Sequence, residues 1–158
     1  MKRRSWKKIV LWVVIAGVAV VALLQLVPYG RDHTNPPVTK EPAWDSPQTR
    51  ELVKQACFDC HSNETKWWWA TDVAPFSWLT YRDVKRARAK LNFSEWAGQV
   101  GWGQVETDLN SGRMPPMRYR LIHSGARLSE AEKQQLIDGM KATLSAPPAP
   151  EASPTSVP

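Results

Sequence analysis

Residues 9–27, IVLWVVIAGVAVVALLQLV, form a 19-residue run whose only polar member is Gln25. In hydrocarbon every backbone N–H and C=O must find its partner within the segment, so such a run can only be a helix. At a rise of about 1.5 Å per residue it just crosses a hydrocarbon core about 30 Å thick. A buried core helix would interrupt so long a run with polar residues. A cleaved signal peptide has a shorter apolar region, about 7–15 residues, and ends on small residues. Here the run closes on Leu26, Val27, Pro28 and Tyr29. The expectation is an uncleaved, single-pass anchor.

The charge pattern orients it. Of 21 basic residues, Lys2, Arg3, Arg4, Lys7 and Lys8 all precede the apolar run. Basic flanks stay in the cytoplasm, so the N-terminus lies inside and everything after Pro28 outside. The same count argues against nucleic acid as a partner. Setting those five aside leaves 16 basic against 15 acidic residues, whereas a DNA-binding domain needs its positive charge where phosphates can reach it.

Five segments follow. Residues 1–8 are a basic cytoplasmic N-terminus and residues 9–27 the transmembrane anchor. Residues 28–43, with Pro36, Pro37 and Pro42, read as an extended tether. Residues 145–158 (SAPPAPEASPTSVP) lack apolar periodicity and are expected to be disordered. Residues 44–144 are then the folded domain, about 100 residues, small enough to gain from a large apolar group at its centre.

Its signals are helical. Ser46 is an N-cap before Pro47, and Leu52, Val53 and Ala56 share a face leading into Cys57. A second helix is expected over Ser77–Lys90, with Trp78, Tyr81, Val84 and Leu91 on one face. Ser94 is a candidate cap for a third, although Gly98, Gly101 and Gly103 weaken its middle. A restart near Trp102 would end at Asn110-Ser111-Gly112. Ser129 and Glu132 form a capping box for a last helix that buries Leu136, Ile137, Met140 and Leu144. No segment alternates like a strand. The expected class is all-α, a small helical domain.

ACFDCHS, residues 56–62, holds both cysteines of the chain. A zinc site needs four ligands, and no second C-x-x-C is present. A thiol redox protein wants a low-pKa cysteine at a helix start after a strand, whereas these cysteines follow a helix. C-x-x-C-H is the attachment signature of c-type haem: Cys57 and Cys60 add to the vinyl groups as thioethers, and His61 reaches the iron. Covalent attachment takes place on the outer face of the bacterial cytoplasmic membrane, where the anchor delivers the domain. The favoured reading is one covalently attached haem c in the periplasm, at the centre of a small, all-α, cytochrome c-like helical domain.

For the second axial position the sequence offers Met114, 53 residues after His61 in the loop SGRMPPMRY. Methionine–histidine ligation raises the iron's potential and suits electron transfer. His123 and Met117 are alternatives, and an open or water-bound iron is another. Met side chains also fill core gaps. Trp67, Trp68 and Trp69 are consecutive, so they cannot all face one way: at least one should be exposed or contact a partner, the membrane interface or the haem edge, while most pack around the porphyrin. Arg82, Arg86, Arg88 and Arg113 are candidates for neutralising haem propionates, or form solvated helix faces.

SPQTRELVKQACFDCHSNETKWWWATDVAPFSWLTYRDVKRARAKLNFSEW and GRMPPMRYRLIHSGARLSEAEKQQLIDGM together resemble the bacterial haem-binding domain family. Those domains carry C-x-x-C-H-S-N and, later, M-P-P-x-x-Y-x-x-x-H. The likeness spans about Pro42 to Met140. It implies thioether roles for Cys57 and Cys60, a proximal role for His61, and Met114 or His123 as the distal ligand. Two positions depart from the family pattern. W-P-W-Y is here Trp67-Trp68-Trp69-Ala70, and His123 is followed by Ser124 in place of proline.

The functional expectation is a membrane-anchored, mono-haem c-type cytochrome that passes single electrons, an electron carrier more than a catalyst. Its partners would be redox proteins of the respiratory membrane or soluble periplasmic carriers. A haem-based sensor needs a displaceable sixth ligand. A peroxidase-like enzyme needs a distal acid–base group, for which His123 is the obvious candidate.

Overall fold

A computed structural model describes residues 2–97 and 101–145. The expected disordered tail lies, apart from Ser145, outside the described residues. Among the described residues seven α-helices follow one another: α1 Lys2–Leu24, α2 Pro47–Ala56, the single turn α3 Phe58–His61, α4 Phe76–Lys90, α5 Trp102–Asn110, α6 Met117–Ile122 and α7 Glu130–Ser145. Short 3-10 turns cover Trp69–Asp72 and Ser124–Ala126. Among the described residues there is no strand, only an isolated bridge between Lys40 and Glu95. The all-α expectation holds.

The chain divides into two compact units. The first takes the described chain up to Thr34 together with Lys66–Lys85, and the second takes Asn35–Thr65 and the described chain from Arg86 onward. Helix α4 contributes residues 76–85 to the first and 86–90 to the second.

In the first unit, α1 is apolar enough to cross a membrane over Ser5–Leu24. It ends at Leu24, short of the expected Val27. Pro28 disfavours helical backbone at the residue before it. Gln25 has a task of its own: its Nε2 donates to Ala74 O at 3.0 Å, and its Oε1 accepts from Ala74 N at 2.9 Å. Gly30 has φ +79°, and a Cβ there would lie 2.7 Å from Ser77 O, so the close approach needs glycine. Trp67 stacks on His33 with ring centroids 4.3 Å apart, and His33 Nδ1 lies 3.3 Å from Asp72 Oδ1. Trp69 is 74% exposed, as the consecutive run requires of at least one ring.

The second unit holds a core of Leu52, Val53, Phe58, Leu91, Phe93, Leu109, Leu136, Ile137 and Met140. Its helices start as their sequences dictate. Ser46 Oγ accepts from Thr49 N at 3.1 Å with Pro47 in the first turn of α2. Glu132 accepts from Ser129 N at 2.8 Å while Ser129 Oγ accepts from Glu132 N at 3.2 Å, closing the box ahead of α7. Helices α2 and α7 pack so closely that a Cβ on Gly139 would overlap the Thr49 side chain. Helix α5 stops at Asn110, and Gly112 has φ +68° beyond it.

Two local expectations change. Ser94 caps no helix: its Oγ accepts from Asn63 N at 2.9 Å, and its carbonyl accepts from Thr39 N and Lys40 N. Tertiary hydrogen bonds have claimed the groups a cap would use. The loop expected around Met117 folds as α6, entered from Pro116.

Candidate functional site

Helix α2 ends at Ala56, and Cys57 N donates to Val53 O at 2.7 Å. Cys57 then adopts a non-helical backbone and the chain restarts as α3, Phe58–His61. Phe58 is buried and stacks on Phe93 with centroids 5.9 Å apart, which pins the turn to the core. Cys57 and Cys60 remain half-buried, unbridged thiols on this short segment.

His61 is oriented from behind. Its Nδ1 lies 3.0 Å from the Leu91 carbonyl oxygen. A carbonyl can only accept, so Nδ1 carries the ring proton and Nε2 is left with its lone pair. Burial pushes the His61 pKa below its ordinary value, which keeps the ring neutral. Metal-binding histidines usually have this arrangement, one nitrogen fixed by a carbonyl and the other free to ligate. His61's own carbonyl accepts from Phe93 N at 2.8 Å, so ring and backbone are both anchored to residues 91–93.

The residues after the motif form a buried polar frame. Ser62 Oγ donates to Phe58 O at 2.8 Å and accepts from Glu64 N at 2.9 Å. Asn63 Nδ2 donates to Pro37 O and to Glu95 Oε1, and Asn63 Oδ1 accepts from Asn92 Nδ2 at 2.9 Å. Arg88 donates to Ser62 O, Asn35 Oδ1 and Thr65 Oγ1, each at 2.8 Å. It braces this frame, so the solvated-face reading does not apply to Arg88. Arg113 pairs with Asp108 at 3.1 Å, and Arg82 with Asp83 at 3.3 Å.

The later motif meets the first through Asp59. Tyr119 Oη donates to Asp59 Oδ2 at 2.7 Å, and His123 Nε2 lies 3.9 Å from the same oxygen. The Tyr119 and His123 rings stack with centroids 4.0 Å apart. Burial, then the Asp59 hydrogen bond, raises the Tyr119 pKa, so the phenol stays protonated as a donor. Met114 donates its N–H to Asp108 O at 3.0 Å, and its residue surface is 39% exposed. Met117, at the start of α6, is 70% exposed. Of the three distal candidates, His123 has its ring nitrogen near Asp59 of the cysteine motif.

The chemistry of this donor set can now be weighed. Burial pushes the Cys57 thiol up to about 12, with Cys60 adding to the shift. A redox dithiol needs the opposite, a thiol whose pKa is lowered. Among the described residues no group of three or more His, Cys, Asp or Glu side chains gathers in a metal-holding arrangement, whereas a structural zinc site needs four ligands. Two separate thiols beside an imidazole with a free Nε2 fit a haem held at its edge and at its iron. The model of the haem-binding domain family matches residues 19–142. The chain belongs to that family. No curated protein and no solved structure matches the chain.

As a member of the haem-binding domain family, this chain is a haem protein. Sequence reasoning missed two of the residues that shape its candidate site. Asp59 occupies a variable position within C-x-x-C-H, and Tyr119 stood only as one letter of a family motif. The family motif M-P-P-x-x-Y-x-x-x-H was the available signal, since its spacing puts Tyr119 and His123 one helical turn apart.

Proposed function

We propose that this haem-binding domain is a membrane-anchored, mono-haem c-type cytochrome that carries single electrons on the periplasmic side of the bacterial cytoplasmic membrane. Cys57 and Cys60 form the thioethers, His61 Nε2 is the proximal ligand and Met114 the distal one. The observation that carries the reading is the 3.0 Å contact between His61 Nδ1 and Leu91 O, which leaves Nε2 as the ligating nitrogen. When bound, haem supplies one-electron iron chemistry, and two axial side chains suit it to electron transfer over ligand binding.

The chain's own residues do the positioning. Leu91 O fixes the imidazole plane, Phe93 N holds the His61 carbonyl, and Phe58 seats the turn carrying both thiols. Helix α1, whose basic first turns lead into its apolar stretch, anchors the domain with its N-terminus inside. Redox proteins of the respiratory membrane, or soluble periplasmic carriers, are the partners this topology suits. Nucleic acid is not among them.

A second reading rests on the exposure of Met114. A sixth ligand on a surface loop can be displaced, and displacement would make the domain a haem-based sensor of small ligands. Optical spectra of the purified protein, oxidised and reduced, with and without carbon monoxide, decide between the two. A sulfur-to-iron charge-transfer band in the ferric form and no carbon monoxide shift in the ferrous form are expected of the carrier. A ready carbon monoxide shift would move the assignment to the sensor. Absence of a covalent haem after expression with a competent maturation system would overturn both.

A further inference from the structure

The Asp59–Tyr119–His123 cluster goes beyond attachment and axial ligation, and it joins the two motifs at one point. Asp59 lies between the two cysteines, so thioethers on either side would hold its carboxylate at the haem edge. Tyr119 reaches that carboxylate across 60 positions of sequence with a 2.7 Å hydrogen bond. Tyr119 stands five residues after Met114, and Pro115 and Pro116 stiffen the link between them. A hydrogen bond at Tyr119 therefore sets where the Met114 loop can lie. The same contact governs His123. Its ring stacks on Tyr119, its Nδ1 is 3.3 Å from Tyr119 O, and its Nε2 faces Asp59 Oδ2 at 3.9 Å.

We propose that the Asp59–Tyr119 hydrogen bond is a selector of the sixth ligand: it holds His123 against the cysteine motif and so reserves the distal position for Met114. This rests on the reading of Met114 as distal ligand. Tyr119 and Asp59 are positioning residues in this proposal, acting through the segment that carries Met114 and His123. An imidazole is a strong iron ligand and lies on the same short segment as Met114, so a device that keeps it aside is needed to hold a sulfur ligand and its higher potential.

The test uses the full chain, matured with haem, as wild type and as the variants Tyr119→Phe, Asp59→Ala, His123→Ala and Tyr119→Phe/His123→Ala. Tyr119→Phe keeps the stacking ring and removes only the hydroxyl. It is expected to keep its covalent haem and a low-spin iron, to lose the sulfur-to-iron band, and to show a lower reduction potential as His123 takes the site. Asp59→Ala should reproduce this, while His123→Ala should keep the wild-type band. The double variant has lost the competing imidazole, so Met114 should take the site again and the wild-type sulfur-to-iron band should return; a double variant still lacking the band would overturn the selector.

The selector is overturned if Tyr119→Phe keeps the wild-type band and potential, or if it fails to acquire covalent haem, which would place Tyr119 in attachment instead. A wild-type protein lacking the sulfur band overturns the selector and the Met114 assignment together. A normal wild-type spectrum with an unchanged Tyr119→Phe sinks the selector alone.

Discussion

The two sides of the candidate haem site are built in different ways. On the cysteine side, residues 57–63 are tied into a buried frame: Ser62 is fully enclosed, Asn63 is 3% exposed, and Phe93 beneath them is 1% exposed. On the methionine side, residues 112–123 contain no buried side chain, and α6 is one and a half turns long. Buried, fully hydrogen-bonded groups have one arrangement, because any displacement leaves desolvated donors and acceptors unpaired. An exposed segment held by a few contacts can be re-set at little cost. On the ligation proposed above, this is a division of labour: His61 would be fixed rigidly and the Met114 side left adjustable.

The largest effect that bears on this division is expected at the thiols. Replacing Cys57 and Cys60 together by alanine should abolish covalent haem, read as loss of haem-linked absorbance after denaturing electrophoresis. A protein that still carried covalent haem would break the assignment of the cysteine side. Next comes Asn63→Ala, which leaves Nδ2 of the buried Asn92 without its partner. A cost of about 2–3 kcal/mol is expected from buried groups left unpaired, read as a fall in the denaturation midpoint. A change under about 0.5 kcal/mol, the size typical of surface substitutions, would mean that the frame is not the source of rigidity.

A smaller effect is expected at Glu41, whose carboxylate accepts two 2.7 Å bonds from Arg50 at the edge of the same unit. The Arg50 hydrogen bond holds the Glu41 pKa below its ordinary 4.5. A depressed carboxylate pKa contributes stability above the unfolded-state value, and that contribution disappears as the pH falls through the folded-state value. Glu41→Gln should therefore cost about 1 kcal/mol at neutral pH, the upper end for a partly exposed pair. Its melting curve should converge with wild type below pH 4.5. A gap that persisted in acid would locate the loss in packing. The smallest stability effect is expected at Met114→Ala, within about 0.5 kcal/mol as for other exposed positions, together with loss of the sulfur-to-iron band. A large loss of stability there would erase the contrast between the two sides.

The cysteine side was legible because its information is local. C-x-x-C-H is five residues, the Ser46-Pro47 start of α2 is two, and the capping box before α7 is four, so each is written where it acts. The methionine side was harder to read. Helix α6 is too short for periodicity to show, and its two leading prolines read as a loop. Its tie to Asp59 depends on a partner 60 residues away. Ser94 failed as a cap for a related reason: a serine hydroxyl can serve a helix or a distant backbone N–H, and Asn63 N claimed it. Composition showed a near-neutral domain but not that Arg88 would spend three of its donors on the backbone and side chains around residues 35, 62 and 65.

The paired hydrogen bonds between Gln25 and Ala74 carry a consequence for handling the protein. Ala74 is 2% exposed, and both of its backbone polar groups are satisfied by one side chain from the end of the apolar run. A chain trimmed at Pro28 to aid purification would discard that side chain and leave an N–H and a C=O stranded. Trimming just ahead of Gln25 removes the greasy segment and keeps both bonds. Where the cut falls, by a handful of residues, decides whether the first unit is studied intact or with a wound at its centre.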